Sequence, residues 1–445
     1  MAQSPEINRT PAEAALADWF AATESGRTGE GPIGEMRAEA FDRFRGQGLP
    51  HRRVEAYKYT DLRATLRTLP AAAEPASREA AEAALAAAPV LSGEGFAPAR
   101  IAIVNGRFVP ELSDLDGLDG AVSVHGFSEM FAGSADPALA RVGSLAAGVD
   151  DPMLALNTAL FDDGVVISVT AGATVARAIE LLHVVAGDAA VTTMPRHAVF
   201  VGEGATVRFL ERHEATSDLA HTTNAAIELE VAANASVTWA KLQAEPLAAT
   251  HVGTMTTTIG TEARFAHLTM TLGAKLARSQ IFARVEGEFV EASFDAATFI
   301  KGEQHADNTL VIDHKVPNGV SQERFRSVVD DRAQAVVQGR INVWPHAQKT
   351  DARMMSNALL LSEGCEAVNK PELEIFADDV QCAHGATSGQ IDEQALFYLR
   401  SRGIPRRQAE RLLIESFLIG AVEGIGDEEI SDALSGRMRS ALDLG

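Results

Sequence analysis

A short frame, Ala-x-(Val/Phe), recurs through the middle of this chain, with a small or turn residue before most copies. It occurs as Ala173-Thr174-Val175, Ala205-Thr206-Val207, Ala235-Ser236-Val237, Ala263-Arg264-Phe265 and Ala292-Ser293-Phe294, at nearly even spacing. A period of this order is the mark of a repeat architecture, in which each unit buries its apolar face against the next. From about Ala99 to residue 385 helical periodicity is nearly absent. Val, Ile, Thr and Phe alternate there with small or polar residues, the period-2 pattern of half-buried strands. Propeller blades run longer than this step, at about 40–50 residues. The shorter step is read as two short coils of a β-solenoid.

The two ends read differently. Thr10-Pro11 opens an Ala-rich helical run, a second covers GEMRAEAFDRFRGQG, and a third covers SREAAEAALAAAP before residue 90. At the other end Asp392 is placed to cap EQALFYLRSR, with Gly403 as the stop, and Pro405 opens a longer helix. The expected organisation is an N-terminal helical region with a linker over 1–98, a β core over 99–388 and a C-terminal helical region over 389–445. Helical ends would cover the open ends of the solenoid.

Composition narrows the function. Lys and Arg number 39 against 61 Asp and Glu, a net charge of −22. Such a surface repels phosphate backbones and anionic lipid, so neither nucleic acid nor a membrane is an expected partner. The two cysteines, Cys365 and Cys382, are too few for a disulfide framework or a four-thiolate metal site. With no signal-like start and no run of 18 apolar residues, the expected location is the cytoplasm. No Gly-Lys dipeptide exists, so the chain has no Walker A loop. The literal G-x-G-x-x-G at Gly29–Gly34 follows a helical pattern and contains Pro32, which argues against a dinucleotide site. No G-x-S-x-G or H-E-x-x-H is present.

Ten of the twelve histidines fall between His183 and His384. Their spacing shows no tight pair, so each, taken singly, reads as a hydrogen-bonded structural residue. One segment is denser in chemistry: Asp378-Asp379-Val380-Gln381-Cys382-Ala383-His384-Gly385-Ala386-Thr387. On a strand, Cys382 and His384 share a face within about 7 Å along the backbone. A thiol and an imidazole so placed are candidate metal ligands, an imidazolium would favour the thiolate, and Asp378 and Asp379 could supply oxygen ligands or hold the ring.

This segment, with Asp313-His314, Gly339-Arg340-Ile341-Asn342-Val343, Ala347 to Ala352, Lys370 to Ile375 and Leu396 to Arg402-Gly403, resembles the SufB/SufD family of iron–sulfur cluster assembly scaffolds, its SufD branch in particular. Tyr57-Lys58-Tyr59-Thr60 is similar to a short N-terminal motif of the same family. The resemblance implies a mainly β fold: a right-handed parallel β-helix between helical end domains. It implies a non-enzymatic role, pairing with a SufB-like paralogue and docking a SufC-like ATPase on the C-terminal helices. It places His384, with Cys382 adjacent, at the pairing interface. Iron or a transient iron–sulfur cluster would then be shared with the partner rather than held by this chain alone. A homodimer is the alternative for the isolated chain. Cys365 departs from the SufD pattern, as the family's assembly cysteine lies near that place in SufB. The competing reading is a β-helix enzyme acting on polysaccharide or acyl substrates, for which three Tyr and three Trp supply few stacking platforms.

Overall fold

The computed structural model describes residues 9–26, 32–91, 96–118, 120–127 and 141–443. The first three positions of the Gly29–Gly34 match lie outside them, and its remainder begins the helix Pro32–Gln47.

The middle of the chain is a parallel β-solenoid of about eight turns. Strands alternate between two sheets, one of eleven and one of ten strands, and from Arg196–Val201 onward hydrogen-bonded neighbours along each sheet's main order are two apart in chain order. Each coil therefore contributes one strand to each sheet. In the ten-stranded sheet Ser236 pairs with Arg264, Arg264 with Glu291, Glu291 with Val320, Val320 with Asp351, and Asp351 with Gln381. One full step of the sequence frame is thus a single coil of two long strands, not two short coils. The register also corrects the last copy of the frame. Val290-Glu291-Ala292 is the true equivalent of Ala263-Arg264-Phe265, and Ala292-Ser293-Phe294 lies two residues further on. The four earlier copies are in register.

The turn residue before each frame has a physical reason. Gly204, Asn234, Glu262, Phe289, Asn318 and Lys349 each sit two positions before a strand of the ten-stranded sheet, and each has a positive φ. The chain needs a left-handed residue to leave one sheet and enter the next coil, which Gly and Asn supply at least cost.

Inward-facing side chains form ladders along the solenoid axis. One runs Val207, Val237, Phe265, Ala292, Ser321, Ala352, Cys382; the next runs Phe209, Trp239, His267, Phe294, Glu323, Met354, His384. Most of these belong to one apolar core shared with Ile227, Met255, Ile281, Leu310, Val337 and Ile341 of the facing sheet.

The terminal helices pack on the sheets' outer faces rather than over the solenoid's ends. Pro11–Gly26 and Pro32–Gln47 bury Leu16, Phe20, Phe41 and Phe44 against Met194, Val252 and Leu276 of the eleven-stranded sheet side. A helix within the β region, Pro152–Leu160, joins them; it is capped by Asp151, which accepts hydrogen bonds from Met153 N and Leu154 N, and is buried throughout. It is buried on all sides, so it has no amphipathic stripe to set it apart from a buried strand. Arg406–Val422 and Glu428–Asp443 bury Ile414, Leu418, Leu434 and Met438 on Leu210, Leu242, Leu268 and Val328 of the ten-stranded sheet. Asp392 caps Glu393–Ser401 as expected, accepting from Gln394 N and Ala395 N.

Tyr57-Lys58-Tyr59-Thr60 fastens the N-terminal segment to the solenoid. The Tyr57 ring lies 4.0 Å from the Arg278 guanidinium carbon, and its hydroxyl donates to Asp151 at 2.7 Å. Arg278 pairs with Asp307, which also accepts from the Thr60 hydroxyl. All of these groups are buried.

Candidate functional site at the open end of the solenoid

At its N-terminal end each sheet finishes in an antiparallel strand, Arg107–Phe108 on one and Val122–Gly126 on the other. The C-terminal end is different. Glu366–Ile375 closes the eleven-stranded sheet and Gln381–Gly389 the ten-stranded one. Each pairs on one side only, and among the described residues no strand lies on the other. Two long strands with free amides and carbonyls are a template for another chain unless something covers them. Pro371 sits within the first, a residue tolerated in a strand mainly at an edge.

Cys382 and His384 lie on the last strand, in register with Ala352 and Met354. They therefore point along the inward face of the solenoid, at a level where no further coil covers them. Cys382 is half-buried against the core and His384 is exposed. The shared face expected from their spacing is present. The expected activation of the thiol is not. Burial pushes the Cys382 thiol up, more than the Ala352 backbone hydrogen bond pulls it down, and the negative charges of Asp351 and, once it ionises, Glu323 add to the rise. Cys382 is thus a thiol at neutral pH until a metal ion or another cation joins it.

The two aspartates do not converge on this pair. Asp379 holds a turn: its carboxylate pairs with Lys349, its N–H donates to Gln348 Oε1 at 2.9 Å, and its carbonyl accepts from Lys349 N at 2.6 Å. Asp378 is exposed. Cys365 lies in the turn before Glu366–Ile375, its thiol 3.0 Å from the Ser362 carbonyl oxygen. Among the described residues, Cys382 and His384 have no third donor placed to complete a metal site with them. The pair offers two ligands on an open edge.

Sequence reasoning missed a ladder neighbour. Glu323 lies below Met354 in the His384 ladder, fully buried, and neither carboxyl oxygen meets a donor in hydrogen-bond geometry. Burial raises its pKa from an ordinary 4.5 to about 8. Only the coil register, not the local sequence, brings Glu323 under His384.

Comparison with known proteins fits this architecture. Residues 183–417 match the family described as the SufBD core domain of SUF-system FeS cluster assembly, and residues 26–181 match the SufBD N-terminal region. The chain belongs to the SufBD family. It is 29% identical to the iron–sulfur cluster assembly protein SufD of Escherichia coli over 439 residues, covering 97% of each chain. It is 30% identical to an iron–sulfur cluster assembly SufBD family protein of Synechocystis over 422 residues, covering 91% of this chain and 89% of that one. No helix among the described residues is long and apolar enough to cross a membrane.

Proposed function

We propose that this chain is a non-catalytic scaffold subunit for iron–sulfur cluster assembly, whose open solenoid end pairs with a SufB-like paralogue. The observation that carries the reading is the conjunction at that end. Two unpaired strand edges sit beside a thiol and an imidazole that lack a third ligand. Strand-to-strand addition gives a second solenoid a way to continue both sheets. A thiolate from that second chain would complete a shared pocket for iron or a nascent cluster. His384 and Cys382 are the ligands on this side, and Asp379 acts by shaping the preceding turn.

The C-terminal helices are the proposed dock for a SufC-like ATPase, which would supply the nucleotide chemistry for which this chain has no Walker A loop. Phe397 and Tyr398 of Glu393–Ser401 are 72% and 58% exposed. The Arg402 guanidinium carbon lies 5.1 Å from the Tyr398 ring centre, and Arg400 is exposed on the same helix, a mixed aromatic and basic surface on an otherwise acidic protein. Such residues are enriched in protein interfaces.

The test is His384→Ala in the reconstituted complex under anaerobic conditions. The assembly should form and the variant should unfold at the parent's midpoint, while cluster yield falls. An undiminished yield overturns the assignment of His384.

A further inference from the structure

A second set of metal-ligand side chains lies inside the solenoid, away from the open end. It occupies the corner where the ten-stranded sheet passes to the eleven-stranded one. His213 lies near the end of Thr206–Glu214, Glu245 follows Ser236–Ala244, and His251 is the second residue of Thr250–Ile259. One ligand atom from each of the three lies within 4.8 Å of the others, and all three residues are buried. His183 stacks on His213 with ring centres 4.1 Å apart, and His251 meets His213 edge-on at 4.6 Å.

Two of the ligands are held by neighbours. Glu211 lies 2.8 Å from Nε2 of His213, and also accepts from Trp239 Nε1 and pairs with Lys241 at 3.0 Å. Glu245 accepts from the Thr223 hydroxyl at 2.7 Å and from Gln243 Nε2 at 3.1 Å. His221 Nε2 lies 3.3 Å from the same carboxylate. His251 is the exception. Its Nδ1 meets Glu245 Oε2 at 2.7 Å, while its Nε2 has no hydrogen-bond partner. Gly253 keeps the space beside it clear, since a Cβ there would sit 2.9 Å from His251 Nε2 and crowd Lys241 Nζ.

A polar network built only for stability satisfies its buried nitrogens. Buried ring nitrogens without partners also occur on His183, His197, His221, His267 and His314, but that of His251 belongs to a ring within ligand distance of a carboxylate and a second imidazole. A void of about 10 Å³ borders two of the three, His213 and Glu245, together with His183, His221 and Thr223; His251 does not line it. That is about the space of one water-sized sphere. Lys241 is engaged with Glu211, so Glu245 has only imidazoles at ion-pair distance among the described residues.

We infer that His213, Glu245 and His251 form a binding site for one divalent first-row transition-metal ion. Two imidazoles and a carboxylate suit zinc, ferrous iron or cobalt(II), and are poorly matched to calcium or magnesium, which prefer all-oxygen shells. The Glu211 carboxylate on His213 is the outer partner that commonly orients a metal-bound imidazole. The inference does not depend on the role proposed for the open end.

The test uses the full chain, stripped with chelator and titrated anaerobically with cobalt(II), then with zinc(II). One cobalt(II) should bind per chain, with visible ligand-field bands, no thiolate charge-transfer band, and displacement by zinc(II). His251→Gln and Glu245→Gln should each weaken binding at least about tenfold. The paired change Cys382→Ser with His384→Ala should leave it intact. No stoichiometric uptake by the parent, uptake unchanged in both interior variants, or uptake lost with the Cys382 and His384 changes would each overturn the inference. Should the interior variants fail to fold by circular dichroism, the parent decides: a thiolate band or no cobalt spectrum refutes the site.

Discussion

Glu323→Gln should make the protein more stable at alkaline pH and flatten its dependence on pH. The carboxyl is fully buried in the His384 ladder, and burial raises its pKa from 4.5 to about 8. A carboxyl raised in the folded state binds its proton more tightly there than in the unfolded chain. Its favourable neutral form is fully present below the unfolded pKa, and the benefit is lost as pH rises toward the folded one. Each pKa unit corresponds to about 1.4 kcal/mol, so this one group takes away up to about 5 kcal/mol between pH 4.5 and 8, and about 3 kcal/mol by pH 7. Glutamine keeps the shape of the neutral acid and cannot ionise. Any cost of its extra N–H donors is independent of pH, so the difference between the two curves isolates the carboxyl. Guanidinium unfolding of parent and variant at half-unit steps from pH 4.5 to 9 reads it. Curves that diverge by about 1.4 kcal/mol per unit between pH 5 and 8 and run parallel above that are expected. Curves parallel throughout refute the reasoning, because they mean that Glu323 ionises in the native state without penalty.

Two further outcomes follow from the fold. Phe289 holds a left-handed turn at φ 58° and is 56% exposed. Relief of about 1–2 kcal/mol of backbone strain, less the entropy glycine adds to the unfolded chain, should raise the stability of Phe289→Gly by about 0.5–1 kcal/mol, read as a higher thermal midpoint; a lower one contradicts the turn assignment. Arg278→Met strands the buried Asp307 carboxylate and strips the Tyr57 ring of its guanidinium neighbour. Denaturation should show a loss of about 3–5 kcal/mol, and a loss under about 1 kcal/mol would mean that the N-terminal motif is not fastened there.

Much of this architecture is legible in the sequence because it is periodic. Turn residues such as Asn234 and Asn318 recur from coil to coil, since every coil meets the same demand for a left-handed residue. The helices after Asp392 and Pro405 carry their own start signals. Coil length is not legible: a long strand in each of two sheets fills the whole repeat without a distinct signal between them, so the sequence suggests a coil of half the true length. Pro152–Leu160 escapes because a short, wholly buried helix shows no period. Helix placement escapes too. An amphipathic stripe announces that a face is buried, not whether it meets a sheet face or an open end. At the site, the shared face of Cys382 and His384 is readable from strand alternation. The acid state of the thiol is not, since Glu323 and Asp351 reach it only through the register. The interior imidazoles look unremarked one at a time because a tight pair is sought within a few residues. The informative interval is the coil itself: His183 and His213 pair across exactly one turn of the solenoid.

The central claim is that the open end of the solenoid is completed by a second chain. Hydrogen–deuterium exchange at single-amide resolution, on the chain alone and mixed with a cysteine-richer SufB-like paralogue, addresses it most directly. Amides along Gln381–Gly389 and Glu366–Ile375 that face no strand should exchange freely in the isolated chain and slow strongly in the mixture, while those of Arg264–Thr271 stay unchanged. A stable complex that leaves the two terminal strands exchanging as before would contradict the account.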